Sequence, residues 1–213
     1  MKVTLLQTTP TGEALANKAA SVCVGRLDNP SDKGLEHAVK SGHLSILEHL
    51  SMTFLIEDVS RSLTHQLIRH RIASYSQESQ RYSKVNTDEE WYVVPESISH
   101  NIYAMSKYVS CMREISKTYN ELLDLNIKKE DARYILPNAS YTNIIVTMNA
   151  RAFIEQCEKR LCNRAQWEIR EMYTNMRNLI KDVYPTVYEL AKPPCAKDGC
   201  KELKPCGQPF TES

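Results

Sequence analysis

Two stretches of the chain alternate apolar and polar positions with a period of two. Across residues 50–59, Met52, Phe54 and Ile56 alternate with Thr53, Leu55 and Glu57. Across residues 140–149, Thr142, Ile144, Val146 and Met148 oppose Tyr141, Asn143, Ile145, Thr147 and Asn149. Both read as strands, and residues 2–7 add an opening strand. Elsewhere the apolar period is helical. Ile98, Ile102, Met105, Val109, Met112, Ile115, Tyr119 and Leu122 recur at steps of three and four. They predict one helix over residues 97–125, roughly 40 Å long at the helical rise. A helix of that length exceeds what one small core needs and points to packing between subunits. Ile169, Met172, Met176, Leu179 and Val183 predict a second long helix over residues 165–183. Shorter helices are expected over 13–24, 32–40, 129–136 and 151–161, the third stopped by Pro137. Ser60 suits the cap of a further helix, with Val59, Leu63 and Leu67 on one face and Arg61, His65 and Arg69 on another. Gln66 stands beside Arg69 and His70. The expected architecture is α+β: a helix-rich single domain with a small, mostly antiparallel sheet and a long central helix. The domain is expected over residues 1–191, followed by an irregular Cys/Pro/Lys-rich tail over 192–213.

Composition narrows the function. The chain has 213 residues, 42% hydrophobic and 25% charged, with a net charge of +1. Those values fit an ordinary globular domain and speak against a globally basic nucleic-acid binder. No apolar run approaches bilayer length, and the first residues lack the features of a secretory leader, so a cytoplasmic protein without a membrane role is expected. Seven cysteines in a chain of this size are expected to be reduced thiols. The six glycines lie at 12, 25, 34, 42, 199 and 207, leaving none from His43 to Asp198. A glycine-rich dinucleotide fingerprint and a P-loop are therefore both excluded. If this chain holds a phosphate, side chains and helix ends must do it.

The basic residues are placed for that task. Between Ser60 and Lys84 stand Arg61, Arg69, Arg71, Arg81 and Lys84, against Glu78 alone. Residues 69–83 add serine hydroxyls, Gln77, Tyr75 and Tyr82. Guanidinium forks match phosphate and carboxylate oxygens, and hydroxyls complete such a site. A second group holds His37, His43, Glu48 and His49, without the four-residue histidine spacing of a helical zinc site. Asn149 and Arg151 fall where a strand passes into a helix, with Arg160 further along that helix. In the tail, Cys195, Cys200 and Cys206 lack both the paired spacing and the fourth ligand of a zinc module. No metal site is expected. Two other classes remain open: a nucleic-acid module stacking bases on Tyr75 and Tyr82, and a metallohydrolase built on His37, His43, His49 and His65.

The order of these residues resembles a known family. Arg69-His70-Arg71, then seven residues, then Ser79 and Arg81-Tyr82-Ser83 is similar to the signature of the flavin-dependent thymidylate synthases. Gly42 to His49, Ala132-Arg133-Tyr134-Ile135-Leu136-Pro137, Asn149-Ala150-Arg151, and Arg160 through Ala165-Gln166-Trp167-Glu168-Ile169 resemble its other blocks, in family order. The resemblance implies reductive methylation of dUMP to dTMP. The methylene would come from 5,10-methylenetetrahydrofolate, with FAD reduced by NADPH as hydride carrier and no cysteine nucleophile. It implies a homotetramer with shared sites and small-molecule substrates, without nucleic acid. Carried over by motif, Gln66, Arg69, Gln77, Ser79, Gln80, Arg81 and Arg133 bind dUMP. Ser45, Glu48, His70, Arg71, Ile72, Asn149, Arg151 and Arg160 bind FAD. Arg160 and His43 lie near the reacting rings, and Ser79 binds and positions substrate among the catalytic residues. This chain departs from the family pattern at Ser76, Gln77, Gln80 and Glu155, where Asn, Glu, Gly and Asn are frequent.

Overall fold

The computed structural model describes residues 1–27, 31, 33–87 and 90–211. Asp32, the expected start of the second helix, and Glu212 and Ser213 of the expected tail lie outside the described residues.

The alternating stretches form strands. β1 (Lys2–Thr8), β2 (Ser51–Ser60), β3 (Ser74–Gln77) and β4 (Tyr141–Asn149) make one sheet in the order β1-β2-β4-β3. It is antiparallel, because each bond at a strand end ties the end of one strand to the start of another. The Thr9 N–H donates to Ser51 O at 3.2 Å, Ala150 N–H to Leu50 O at 2.8 Å, and Glu78 N–H to Asn143 O at 2.9 Å. Met52, Phe54, Ile56, Ile144, Val146 and Met148 are all buried. On the opposite face the Thr53 and Thr147 hydroxyls meet at 2.9 Å. The register is thus set by the alternation read in the sequence.

The helices are α1 (Ala14–Cys23), α2 (Gly34–Lys40), α3 (Arg61–Leu67), α4 (Glu96–Ser99), α5 (Ile102–Asp124), α6 (Lys129–Ala132), α7 (Ala150–Arg160), α8 (Trp167–Leu179) and α9 (Pro185–Leu190). A 3-10 helix spans Leu44–His49. The result is a helix-rich α+β fold.

Two compact units divide the chain. The first comprises Met1–Ile56, Gln66–Ser76 and Ile145–Ser213. Its core stacks Phe54 on Phe153 and Phe153 against Tyr173, both at 6.2 Å between centroids. Tyr184, ahead of α9, accepts from the Thr9 N–H at 2.8 Å and donates to Ser51 O at 2.9 Å, pinning β1 and β2 together. The second comprises Glu57–His65 and Gln77–Ile144. Here Tyr119 is fully buried on α5 and accepts from the Val85 N–H at 3.3 Å, while Tyr108 donates to Val93 O at 2.8 Å.

Four expectations need correction. The helix expected over 97–125 is broken: α4 stops at Ser99, and Asn101 caps a new start by accepting from the Tyr103 and Ala104 N–H groups, each at 3.1 Å. Asparagine competes with the helical ladder through its own side chain, and the apolar period does not register that. The remaining 23-residue α5 is still about 35 Å long. The α3 helix ends at Leu67, so Arg69 sits in the turn beyond it. The polar strand β3 and the short α9, opened by Pro185, were not expected at all. Ser60 does cap α3, accepting from the Leu63 N–H at 3.0 Å.

Candidate active site

In the first unit the site is built on the turn after α3. The Arg69 N–H donates to Gln66 O at 3.3 Å and the His70 N–H to Leu67 O at 3.1 Å, closing that turn. Tyr75, from β3, places its hydroxyl 2.8 Å from His70 O and 3.1 Å from Leu67 O. Burial pushes the Tyr75 hydroxyl pKa up to about 12, so it stays a donor. Arg160, the last residue of α7, reaches the same turn. Its Nε–H donates to His70 Nε2 at 2.9 Å and its NH2 group to Gln66 O at 3.4 Å. An imidazole nitrogen that accepts from a guanidinium carries no proton, so the ring proton sits on Nδ1. Tyr173 meets the His70 ring edge-on at 6.5 Å and donates its hydroxyl to Gln156.

Burial first, then the Arg160 and Lys159 charges, push the His70 pKa down from 6.5 to about 4. Between those two values the unfolded chain takes a proton that folded His70 refuses. The contribution of His70 to stability is therefore intact above pH 6.5, declines on acidification to about 4, and levels off below. Thermal midpoints measured across that range should fall more steeply for the wild type than for His70→Gln; parallel slopes would contradict the assignment.

Further residues of the first unit gather at the start of α7. Asn149 accepts from the Ala152 N–H at 2.8 Å and caps the helix. Arg151 pairs with Glu48 at 2.6 Å and with Glu155 at 3.3 Å, tying α7 to the 3-10 helix. His43, at the foot of that helix, and Ser45 line an open pocket of about 750 Å³ together with Arg26, Lys33 and His37. Arg69, Arg71 and Ile72 are exposed, Ile72 at 65%.

The second unit holds the other polar group. Gln77, on β3, donates to the Thr64 hydroxyl at 2.9 Å and the Thr142 hydroxyl at 3.2 Å. Both amide protons are thereby used, and its carbonyl oxygen remains an acceptor. Residues 79–83 form one tight turn, with the Tyr82 and Ser83 N–H groups on Ser79 O and the Arg81 N–H on Ser79 Oγ. Ser79 Oγ accepts there, leaving its own proton to donate. Arg81 binds Glu130 at 3.1 Å, and Arg133 donates to Glu130 O at 3.1 Å. Burial and then the Arg133 charge lower the pKa of Arg61. The Glu78 carboxylate acts on Arg61 in the opposite direction. Gln80 Nε2 is buried with no hydrogen-bond partner, an orphaned donor.

The model of the family described as thymidylate synthase complementing protein matches residues 4–186. The chain belongs to the flavin-dependent thymidylate synthase family. It is 44% identical to the flavin-dependent thymidylate synthase of Geobacter sulfurreducens over 212 residues, covering 95% of this chain and 91% of that one. With the enzyme of Clostridium tetani it shares 39% identity over 235 residues, covering 98% and 94%. A crystal structure of flavin-dependent thymidylate synthase ThyX from Helicobacter pylori, complexed with FAD and dUMP, aligns with a TM-score of 0.76 at 25% identity, over 90% of this chain and 100% of that one.

Within this member of the flavin-dependent thymidylate synthases, the motif residues fall into the two units unevenly. Every residue assigned to FAD lies in the first unit, as do His43, Gln66 and Arg69. Gln77, Ser79, Gln80, Arg81 and Arg133 lie in the second. Of the histidines offered for a metallohydrolase, His65 belongs to the second unit and His37, His43 and His49 to the first. Three supporting residues escaped motif reading. Tyr75 bonds the His70 carbonyl, Tyr173 meets the His70 ring edge-on, and Arg61 adds a guanidinium to the second unit. Arg61 was visible only as one member of the basic run.

Proposed function

We propose that this chain methylates dUMP reductively to dTMP, taking the methylene from 5,10-methylenetetrahydrofolate and using FAD and NADPH. The observation that carries the reading is the basic cluster of the second unit: Arg81 and Arg133 both meet Glu130, one at its carboxylate and the other at its backbone carbonyl, and no glycine loop is present. Arg81 and Arg133 grip the phosphate and the uracil carbonyl oxygens. Gln80 Nε2, buried without a partner, suits one of those oxygens as donor. Gln77 offers its free carbonyl oxygen to the ring N–H, a role that needs no charge. The Ser79 hydroxyl donates and positions.

The first unit fits FAD by its donors. Arg71 is exposed, Ile72 offers an uncovered apolar face for a ring, and neutral His70 presents Nδ1–H with its ring fixed by Arg160 and its backbone by Tyr75. Ser45, Glu48, Asn149 and Arg151 complete the binding set around the start of α7 and the 3-10 helix. When bound, FAD supplies the redox step, a hydride to the pyrimidine after reduction by NADPH. Arginines at the uracil oxygens stabilise the charge that develops as C5 takes up the one-carbon unit. Arg160 and His43 orient the rings.

A thiolate mechanism has no support from the cysteines. Cys157 is fully buried and burial pushes its thiol well up, while no cysteine lies between residues 24 and 110, which hold the nucleotide motif. The chain acts as a homotetramer with shared sites, in the cytoplasm, on small molecules and not on nucleic acid. Ile102 and Tyr103 at the start of α5, 78% and 81% exposed, favour that assembly. The domain ends near residue 191.

Purified protein should be yellow, bleach under NADPH without oxygen, and form dTMP when dUMP and the folate are added. A colourless protein that FAD cannot reconstitute would overturn the proposal.

A further inference from the structure

The tail carries three cysteines, and the fold supplies the fourth that the sequence spacing lacked. Cys162, in the connection between α7 and α8, lines the same pocket of about 260 Å³ as Cys195, Cys200 and Cys206. Four of the seven cysteines thus share one wall, and those four are reduced.

The tail is fastened to that connection by polar contacts on each side of the thiols. Asn163 Nδ2 donates to Gln208 O at 2.6 Å, Arg164 pairs with Glu202 at 3.3 Å, and Lys197 with Glu158 of α7 at 2.9 Å. Backbone amides are directed at two of the sulfurs. The Gln208 N–H donates to Cys206 Sγ and the Phe210 N–H to Cys195 Sγ, both at 3.4 Å. The first contact depends on Gly207, whose φ of +74° turns the chain back on the sulfur, a conformation a side chain disfavours. Amides that donate to sulfur support a thiolate in a metal's outer shell. A hydrophobic clamp needs none of these features.

We propose that Cys162, Cys195, Cys200 and Cys206 bind a thiophilic divalent metal, zinc by its preference for four thiolates in a closed site. The site is structural: it fastens the tail to the α7–α8 connection. Among the described residues no three metal-ligating side chains are already gathered at one point. Cys200 and Cys206 are exposed, and metal binding requires their sulfurs to move in. Binding then completes the local fold, as metal and folding are coupled. Each thiol that ligates releases its proton to solvent, and the metal keeps its oxidation state. Four thiolates around a divalent ion leave two negative charges. Arg164 and Lys197 are already paired with Glu202 and Glu158, which leaves Lys201 and Lys204 as the tail's cations to offset them.

The test uses the full-length protein grown with zinc and purified without chelator. Metal is quantified by mass spectrometry alongside the flavin absorbance. The expected result is on the order of one zinc per chain, lost from Cys200→Ser and from Cys206→Ser, and retained by Cys111→Ser on α5. Both tail variants should keep the wild-type circular dichroism, because their altered residues are exposed. Cobalt(II) in place of zinc should give tetrahedral d–d bands with sulfur charge transfer. Wild-type protein without stoichiometric metal, metal retained by both tail variants, or iron with acid-labile sulfide would each overturn the proposal. Flavin content and dTMP formation, read on the same samples, report separately on the proposed activity.

Discussion

Replacing Arg160 with alanine is expected to weaken FAD binding by about 10- to 100-fold, the value of a hydrogen bond to a charged group. The effect passes through His70. Arg160 donates to His70 Nε2 and to the Gln66 carbonyl, so one side chain fixes both the tautomer of the imidazole and the end of α3. Without it, His70 Nε2 loses its donor in a half-buried place, and the ring is free to move its proton from Nδ1. The Arg160 cation is also the second cause of the depressed His70 pKa. A proton titration of His70 by NMR should therefore shift upward from about 4 in the variant, though short of 6.5, because burial is the larger cause and persists. Turnover of protein saturated with FAD should fall by about 10²- to 10³-fold, the usual loss for one preorganised donor. Arg160→Lys should recover less than half of the binding loss on a logarithmic scale, since an ammonium cannot serve two acceptors with a fixed fork. Unchanged FAD affinity in the alanine variant would remove Arg160 from the flavin site.

The sheet and the main helices were legible because burial leaves a period. Met52, Phe54 and Ile56, and Ile144, Val146 and Met148, each bury alternate positions, and Ile169, Met172 and Met176 are fully buried on α8. Features resting on local polar chemistry were not legible by period. Asn101 breaks a stripe that runs on through it, since its competing hydrogen bonds are invisible to hydrophobic spacing. The strand β3 has the sequence Ser-Tyr-Ser-Gln, in which Tyr75 and Gln77 point to the less exposed side but are not apolar. The candidate site shows the same division. Residue types and order marked the arginines, whereas partners far apart in sequence did not appear. His70 and Arg160 are 90 residues apart, Arg81 and Glu130 are 49 apart, and Gln77 and Thr142 are 65 apart. Gln77 shows what such a partner changes. It stands where the family frequently has glutamate, yet its amide group is held by Thr64 and Thr142, contacts that a carboxylate meets only as acceptor. The threonines and the glutamine therefore work as a matched set.

Arg81→Ala should raise the dissociation constant of dUMP by about 10- to 100-fold and leave FAD bound. Arg81 now pairs with Glu130 through Nε and NH2, with half of its side-chain surface exposed, and its guanidinium lies 5.4 Å from the Tyr82 ring. An exposed pair of this kind is worth about 0–1 kcal/mol. A charge-assisted bond to phosphate is worth about 1.5–3 kcal/mol. Exchanging Glu130 for a phosphate is thus favourable, and alanine forfeits the difference. Loss of the pair should cost folding stability less than about 0.5 kcal/mol, as for most surface substitutions. The phosphate dependence gives the sharper readout. Deoxyuridine, which lacks the phosphate, should bind the variant and the wild type equally weakly, so the whole effect disappears with the anion. All eight residues assigned to FAD belong to the first unit and Arg81 to the second, which is why flavin content should survive. Titration calorimetry with dUMP and with deoxyuridine, on FAD-loaded protein, measures both arms. A variant that loses flavin but binds dUMP as before would exchange the roles of Arg81 and the flavin-binding residues.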